Sequence, residues 1–240
     1  MKTIKPNFFN EKIKVKIMKA AVIGTGKTGS AILELAGPDA VGFNSRNMPQ
    51  KEDLKDFDCI IVFVPTTAAN EIMELLKGLP LRVIWGTTGM QWPVDFQEKI
   101  KKSGATWIIG SNFSLGMNLV RRAIQLMGQQ VDLLNKPAFS IREIHHIHKK
   151  DKPSGTAISW KEWLNQPAEI ESEREGDVKG IHELNIRTNF ESISIKHEAH
   201  DRKLFAEGAL WTAEKLMIHP EFGPGWFKFE TFFDYLTQKN

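Results

Sequence analysis

The segment from Glu143 to Ala157, EIHHIHKKDKPSGTA, places three histidines and three lysines ahead of a Pro-Ser-Gly turn. Histidine titrates near neutral pH and can deliver a proton, and lysine supplies a fixed positive charge. The residues PSGTA predict the start of a helix, where Gly155 lets a ligand approach the backbone and Thr156 offers a hydroxyl and an amide to an anion. The pattern favours a proton donor beside a carboxylate site.

A metal site is a second interpretation of the same segment. In a strand, His145 and His146 point to opposite faces, so a compact group with His148 is awkward. Lys149 and Lys150 would repel a cation. We therefore expect no metal. A third, plainer interpretation is a set of surface and core histidines next to a solvated lysine pair.

Composition excludes other classes of function. The net charge is +3, but residues 1–17 carry five lysines against one glutamate, so the remaining chain is nearly neutral and no nucleic-acid partner is expected. No apolar run approaches the ~20 residues of a membrane span, and no membrane association is expected. The single cysteine, Cys59, lies in an apolar run and has no disulfide partner, which favours a reducing, cytoplasmic location. Residues 1–17 are expected to be an N-terminal extension without a signal peptide.

A glycine-rich loop follows the first predicted strand. In AVIGTGKTG, three glycines have the spacing G-x-G-x-x-G and open a helix, as in dinucleotide-binding domains. The first glycine permits a tight turn, the second a close approach of a pyrophosphate, and the third helix–strand packing. The cofactor-binding residues expected from this loop are Gly24, Thr25, Gly26, Lys27, Thr28 and Gly29.

The end of the second predicted strand bears on which nucleotide is bound. NAD-preferring sites place an acid there for the ribose hydroxyls, but this chain has Asn44, followed by Ser45 and Arg46. Arginine binds a 2′-phosphate bidentately, so NADPH is the expected preferred cofactor, with NADH also used. The alternative is an arginine that points into solvent.

Later strand ends also predict cofactor contacts. Ligands in this architecture bind outside the carboxyl ends of the strands. The segments WGTTG and GSNFS follow the fourth and fifth predicted strands, and a phenylalanine ends the third. The further cofactor-binding residues expected here are Phe63, Gly86, Thr87, Thr88, Ser111, Asn112 and Phe113.

The elements that position these residues form two groups. Up to about residue 115, five short apolar strands alternate with helices, which predicts a Rossmann-type parallel sheet. The looser strands FSIREIHH, IHELNIR and ESISIKHE predict a smaller α+β domain with a mixed open sheet, and the charged stretch 171–180 predicts a loop. The expected division is an extension at 1–17, a dinucleotide-binding domain at 18–115 and 204–240, and a substrate-binding and oligomerisation domain at 116–203.

The segment EIHHIHKKDKPSGTA resembles the signature of the 4-hydroxy-tetrahydrodipicolinate reductase (dihydrodipicolinate reductase) family of lysine and diaminopimelate biosynthesis. The resemblance extends over nearly all of residues 18–240 and takes in the glycine loop, GTTG, SNFSLGMN, REGDVKGIHE and DRKLFAEGAL. It implies that His145 donates a proton, that Lys149 is its electrostatic partner and contacts a substrate carboxylate, and that His146, Gly155 and Thr156 bind substrate. It also implies a homotetramer, a small-molecule dicarboxylate substrate and an NAD(P)H cofactor.

Three positions depart from that family's pattern: Val64 follows the third strand where a hydroxyl residue is common, Asn44 replaces an acid, and Glu198 stands where a basic residue is common. They bear on cofactor preference and on the charge of the substrate pocket. Two alternative functions stay open from the sequence, an aspartate-dehydrogenase-like reductase and a nucleotide-sensing module without catalysis. An intact proton donor and carboxylate site argue against the second.

Overall fold

The computed structural model describes residues 19–238, so the predicted extension at 1–17 lies outside the described residues. The strands are β1 (Ala20–Ile23), β2 (Ala40–Phe43), β3 (Cys59–Val62), β4 (Arg82–Trp85), β5 (Thr106–Ile109), β6 (Ala138–His145), β7 (Ala168–Arg174), β8 (Ile181–Arg187), β9 (Ser192–Glu198) and β10 (Gly225–Lys228). The helices are α1 (Lys27–Ala36), α2 (Thr66–Leu76), α3 (Phe96–Lys102), α4 (Leu115–Gln129), α5 (Gly155–Leu164), α6 (Lys203–Ile218) and α7 (Phe229–Gln238).

The first sheet has six parallel strands in the order β10-β5-β4-β3-β1-β2. Its central strands are continuous apolar runs because both of their faces are buried: every residue of β1 and of β3, including Cys59, is buried. α1, α6 and α7 cover one face, and α2 and α3 cover the other. In a parallel sheet all carboxyl ends meet at one edge, and the glycine-rich loop lies there.

The second sheet has four strands in the order β7-β6-β8-β9, of which β6 and β7 are parallel and the other pairs antiparallel. One face packs on α4 and α5 through a cluster that includes Met117, Ile124, Trp160 and Leu184. Residues along β8 therefore alternate between buried and half-buried. Together the two sheets confirm the predicted fold class.

Two strands differ from the sequence-based prediction. The stretch 171–180 was expected to be a charged loop, but its first four residues complete β7, an edge strand with charged side chains on its open face. There Arg142 of β6 pairs with Glu173 at 2.6 Å. β10 was not predicted, because GWFK is too short to show a period; it pairs with β5 and extends the first sheet.

The C-terminal elements connect the two parts of the molecule. α4 leads from the first sheet to the second, and α7 follows β10. Arg121 on α4, which is almost fully buried, donates to Asp234 on α7 at 2.6 Å. This ion pair, buried at its arginine end, ties the two helices together. Within residues 19–238, no helix has the length and apolar character that a membrane span requires.

Candidate active site

The glycine-rich loop joins β1 to α1 at the carboxyl edge of the first sheet. Gly24 has φ +99°, and a side chain there would meet the Phe63 carbonyl oxygen at 2.2 Å. A side chain on Gly29 would lie 1.7 Å from the Gly24 carbonyl oxygen. The space in front of Gly26 is open, and a methyl group there would meet no neighbouring side chain or strand of residues 19–238 within 4 Å. The loop therefore leaves room for an anion at the start of α1, as a dinucleotide pyrophosphate requires.

The loop after β2 is organised by asparagine side chains. The Asn44 side-chain carbonyl accepts the Arg46 N–H at 2.9 Å, and Asn47 accepts the Asn44 N–H at 2.9 Å. Ser45 and Arg46 are exposed. The turn thus presents a hydroxyl and a guanidinium to solvent beside the nucleotide loop, and the Asn44 oxygen is already used inside the turn.

The predicted residues at the ends of β3, β4 and β5 divide into two roles. Phe63 and Phe113 pack edge to face, with ring centroids 5.9 Å apart, and Gly86 leaves space for the Phe63 ring. The buried Thr87 hydroxyl donates to the Val64 carbonyl at 2.9 Å and accepts the Val64 N–H at 3.1 Å. These side chains pack together and hold the loops that follow the strands in place.

The other role belongs to residues that face a cleft of about 910 Å³ between the two sheets. Thr88, Ser111 and Asn112 line it from the first sheet. The predicted substrate residues His145, Lys149, Gly155 and Thr156 line it from the other side. A neighbouring cavity of about 410 Å³ shares His145 and Lys149 and adds Lys27, His146 and Arg202. The residues predicted for cofactor and substrate thus border adjoining spaces.

A larger cavity, of about 1020 Å³, lies at the opposite end of β6. It is lined by Pro137, Phe139 and Asn185, among others, and by none of the predicted site residues. Volume alone therefore does not locate the chemistry, which depends on where titratable groups converge.

His145 ends β6 and is 8% exposed. Its Nδ1 makes a hydrogen bond with the carboxylate of Glu143, two residues earlier on the same face of the strand. Nε2 has no hydrogen-bond partner within residues 19–238, so it is the ring nitrogen left for a ligand. Burial lowers the pKa of His145, and the Glu143 carboxylate opposes that shift.

Glu143 has no exposed surface. Besides His145, its carboxylate accepts the Arg174 guanidinium at 3.0 Å and the Ser154 N–H at 3.3 Å. Burial would raise the pKa of this carboxyl, but hydrogen bonds from Ser172, Arg174 and His145 lower it overall. Glu143 therefore stays ionised beneath the site.

Lys149 sits on the loop between β6 and α5. Its ammonium pairs with Asp151 at 2.8 Å, which lowers the pKa of Asp151. The Lys149 carbonyl oxygen accepts from Arg174 at 3.3 Å, and the Asp151 carbonyl oxygen accepts from the same guanidinium. Arg174 thus fixes the loop that carries the lysine.

The start of α5 forms the remaining wall. Ser154 is the N-cap and accepts the Ala157 N–H at 3.2 Å. The space in front of Gly155 is open, as it is at Gly26. A carboxylate can therefore reach the backbone N–H groups of Gly155 and Thr156 and the positive end of the helix dipole.

The histidines do not gather as a metal site made from His145, His146 and His148 would require. Instead His145 has His182 of β8 beneath it, with ring centroids 5.0 Å apart. Glu143, His145 and His182 bring potential ligand atoms within 4.8 Å of one another, but Arg174 is already bonded to the shared carboxylate and opposes a cation.

Sequence reasoning had no role for four residues of this network: Glu143, Ser154, Arg174 and His182. Burial lowers the pKa of His182 to about 3, and its Nε2 lies 3.2 Å from the Ser154 hydroxyl. The spacing of Glu143 and His145 was a signal for one of the four, since residues i and i+2 share a face of a strand. Arg174 and His182 depend on strand pairing, which sets His145 opposite Arg174 and Glu143 opposite His182. Ser154 is the N-cap of α5 and reaches the network through the loop that follows β6.

Comparisons with known proteins identify the relatives of this chain. The family model described as "Dihydrodipicolinate reductase, C-terminus" matches residues 115–233. A 4-hydroxy-tetrahydrodipicolinate reductase of Thermosipho africanus (strain TCF52B) is 34% identical over 226 residues, which cover 92% of this chain and 99% of the relative. The enzyme of the same name from Christiangramia forsetii is 32% identical over 223 residues, covering 83% and 92%.

A solved structure has the same fold. A dipicolinate-bound dihydrodipicolinate reductase from Paenisporosarcina sp. TG-14 superposes with a TM-score of 0.71 at 15% identity. The match covers 90% of this chain and 99% of that one. The two-sheet architecture is therefore that of a known reductase structure.

Proposed function

This chain belongs to the 4-hydroxy-tetrahydrodipicolinate reductase family, and we propose that it reduces 4-hydroxy-tetrahydrodipicolinate to tetrahydrodipicolinate in lysine and diaminopimelate biosynthesis. The resemblance stated from the sequence is thereby confirmed. The observation that carries the proposal is the cleft that His145, Lys149 and Thr156 share with Thr88 and Ser111, which follow strands of the nucleotide-binding sheet.

The reaction needs a hydride, a proton and a leaving hydroxyl. When bound, the nicotinamide cofactor supplies the hydride to one ring carbon of the substrate. The substrate's hydroxyl leaves as water together with a hydrogen of the neighbouring carbon, and a ring double bond forms between the two carbons. The carbon that lost the hydroxyl accepts the hydride, and its neighbour then takes a proton from Nε2 of protonated His145. General acid catalysis of this kind contributes roughly 10²–10⁴-fold.

The substrate's two carboxylates are bound by a positively charged side chain and by backbone N–H groups. Lys149 lies beside His145 and provides the cation, and the N–H groups of Gly155 and Thr156 receive a carboxylate at the start of α5. His146 borders the neighbouring cavity and completes the site. A dianion bound there also favours the protonated form of His145, which burial alone disfavours.

The glycine-rich loop fits the nicotinamide cofactor. Open space in front of Gly26 and the free start of α1 suit a pyrophosphate. Thr25, Lys27 and Thr28 belong to this loop, and Ser111 and Asn112 face the nicotinamide side of the cleft. The group supplies the redox chemistry, and these residues hold and orient it.

NADPH is proposed as the preferred cofactor. Asn44 carries no charge to repel a 2′-phosphate, and its oxygen is turned to the Arg46 N–H. Ser45 and Arg46 are exposed beside it and can donate to the phosphate. Such a contact contributes roughly 1.5–3 kcal/mol, or about tenfold to a hundredfold in kcat/KM.

The decisive comparison is Arg46→Ala assayed with both cofactors, with the exposed Lys101→Ala of α3 as control. A loss confined to NADPH supports the assignment, and added salt should shrink it. Equal losses with NADH and NADPH, or an unmodified enzyme that prefers NADH, would show that Arg46 points into solvent.

The function itself is tested by oxidation of NADPH, followed optically, with substrate generated from pyruvate and aspartate semialdehyde by a synthase. Turnover that depends on the synthase supports the proposal. Turnover with oxaloacetate and ammonia instead would favour an aspartate-dehydrogenase-like reductase. Nucleotide binding without any turnover would favour a sensing module.

We further propose a cytoplasmic homotetramer. The edge strand β9 alternates exposed and half-buried residues, and its outer edge has no partner strand among residues 19–238. Phe190, in the turn before it, is 89% exposed. Such an edge suits pairing between symmetric subunits. A monomer in light scattering at micromolar concentration would contradict this.

A further inference from the structure

We propose that Glu143 is the positioning residue of this site: its single buried carboxylate holds the proton donor, the start of α5 and the lysine-bearing loop in one arrangement. The inference rests on the proposed function, because it assigns Glu143 a part in proton delivery by His145. Glu143 itself lies beneath the cleft and does not line it.

The two carboxylate oxygens have different partners. Oε2 accepts a hydrogen bond from Nδ1 of His145. Oε1 accepts the Ser154 N–H at 3.3 Å and the Arg174 guanidinium at 3.0 Å. Through Arg174, which also donates to the carbonyl oxygen of Lys149 at 3.3 Å, the carboxylate fixes the lysine loop as well. Three separate chain segments therefore depend on one side chain.

The contact with Nδ1 also decides which nitrogen serves the substrate. A carboxylate accepts only, so Nδ1 must carry a hydrogen in both protonation states of His145. The proton that is gained and lost is then the one on Nε2, which faces Gly180; a side chain at Gly180 would approach Nε2 to 3.1 Å. Glu143 thus determines that Nε2 is the nitrogen that titrates. The same logic orients the histidine of a Ser-His-Asp triad.

The charge of Glu143 matters because the other groups around His145 oppose its protonation. Lys149 on the loop and Arg174 on β7 are cations, and both lower the pKa of His145. His182 on β8 stays neutral, since burial lowers its pKa to about 3. Glu143 on β6 is the anion among these neighbours and the one that raises the pKa.

The test is Glu143→Gln, which keeps the shape of the side chain and removes its charge. We expect kcat near neutral pH to fall by about 10²-fold. Without the anion, His145 is protonated only at lower pH, so the alkaline fall of the pH–rate profile should move to lower pH. The deficit should therefore be smaller at about pH 6 than at about pH 8. Binding of pyridine-2,6-dicarboxylate should weaken much less than kcat falls.

The matched control is Glu171→Gln, which removes an exposed carboxylate from the neighbouring strand β7. It should leave both kcat and the pH profile unchanged. A uniform loss at every pH in Glu143→Gln, with its profile in place, would mean that the residue is merely structural and would overturn the proposal.

A second measurement depends neither on turnover nor on the folding of Glu143→Gln. In the unmodified protein, ¹⁵N chemical shifts of histidine, assigned by the spectrum of His145→Gln, should show neutral His145 with its hydrogen on Nδ1. Hydrogen on Nε2 would overturn the proposal. If the unmodified enzyme does not turn over the proposed substrate but His145 shows the Nδ1 tautomer, the proposed function fails while the positioning role of Glu143 stands.

Discussion

The two proposed anion sites, one at the glycine-rich loop and one on the substrate side of the cleft, are built differently. On the nucleotide side, the loop around Gly26 relies on missing side chains and on the start of α1. On the substrate side, the start of α5 at Gly155 is surrounded by a buried network of side chains centred on Glu143. One site is made by the backbone and the other by residues from three strands.

The difference follows from what each site must do. A pyrophosphate has to be held, and backbone N–H groups at a helix start suffice for that. The substrate has to be held and also given a proton, which requires a titratable group with a controlled pKa. Control of the pKa needs charges at fixed distances, and these come from packed side chains.

The substitution expected to have the largest effect is His145→Gln, which distinguishes the function of the substrate side from that of the nucleotide side. It should lower kcat by about two to four decades, because the proton donor is lost, and leave cofactor affinity unchanged, because the nucleotide loop is intact. Calorimetric titration with NADPH and steady-state kinetics give both values. Near wild-type rates in the variant would remove His145 from the mechanism.

The cation of the substrate side is tested by Lys149→Ala. A charge-assisted hydrogen bond contributes roughly 1.5–3 kcal/mol, so the inhibition constant for pyridine-2,6-dicarboxylate should rise by about tenfold to a hundredfold. The exposed neighbour Lys150→Ala is the control and should change it little. If the dicarboxylate fails to inhibit the unmodified enzyme, the carboxylate site has been misassigned.

The substrate side should also be the acid-sensitive one. The pKa of His182 is about 3 in the folded protein and near its ordinary value of 6.5 when unfolded. Below pH 6.5 the unfolded chain therefore takes up a proton that the folded chain does not, and stability falls as the pH drops toward 3. The slope is about 1.4 kcal/mol per pH unit.

Urea unfolding of His182→Gln checks this. The variant should lose less stability than the unmodified protein between about pH 6 and about pH 5. The exposed His200→Gln should behave like the unmodified protein. Parallel pH dependences for His182→Gln and the unmodified protein would contradict the buried neutral state of His182.

The smallest effects are expected from substitution of Gly26 and Gly155. Each substitution should weaken the binding of one ligand and leave the binding of the other unchanged. Gly26→Ala and Gly155→Ala each add a methyl group where no described atom lies within 4 Å, so neither should change stability much. Gly26→Ala should weaken NADPH binding and Gly155→Ala dicarboxylate binding, each by about tenfold, the worth of one or two hydrogen bonds. Calorimetry with both ligands on both variants decides; weakening of both ligands by either substitution would argue against two separate sites.

The sequence predicted the backbone-built side better than the side-chain-built one. The spacing of Gly24, Gly26 and Gly29 is local, and the structure has that loop at the start of α1. His145 and Lys149 were predicted from one continuous motif, and they line one cleft. Arg174 and His182 are 29 and 37 positions beyond His145, and only the pairing of β6 with β7 and β8 brings them to it.

The same limit applies to the fold. The alternating apolar strands predicted the parallel sheet, because a strand buried on both faces needs a continuous apolar run. β7 was not predicted because its charged residues suit an edge strand as well as a loop. β10 was not predicted because four residues are too few to show an alternation of apolar and polar side chains. Edge strands are where local pattern carries least information.

The place of β10 in the first sheet has a consequence for biosynthesis of the chain. A ribosome makes β1 to β5, then the entire second sheet, and only afterwards β10 and α7, which pair with β5 and join α4 through Asp234. Until those residues emerge, β5 is an open edge and the apolar surface that α7 covers is bare. The nascent protein therefore holds the nucleotide-binding sheet unfinished during most of translation, with an unpaired strand edge of the kind that promotes aggregation.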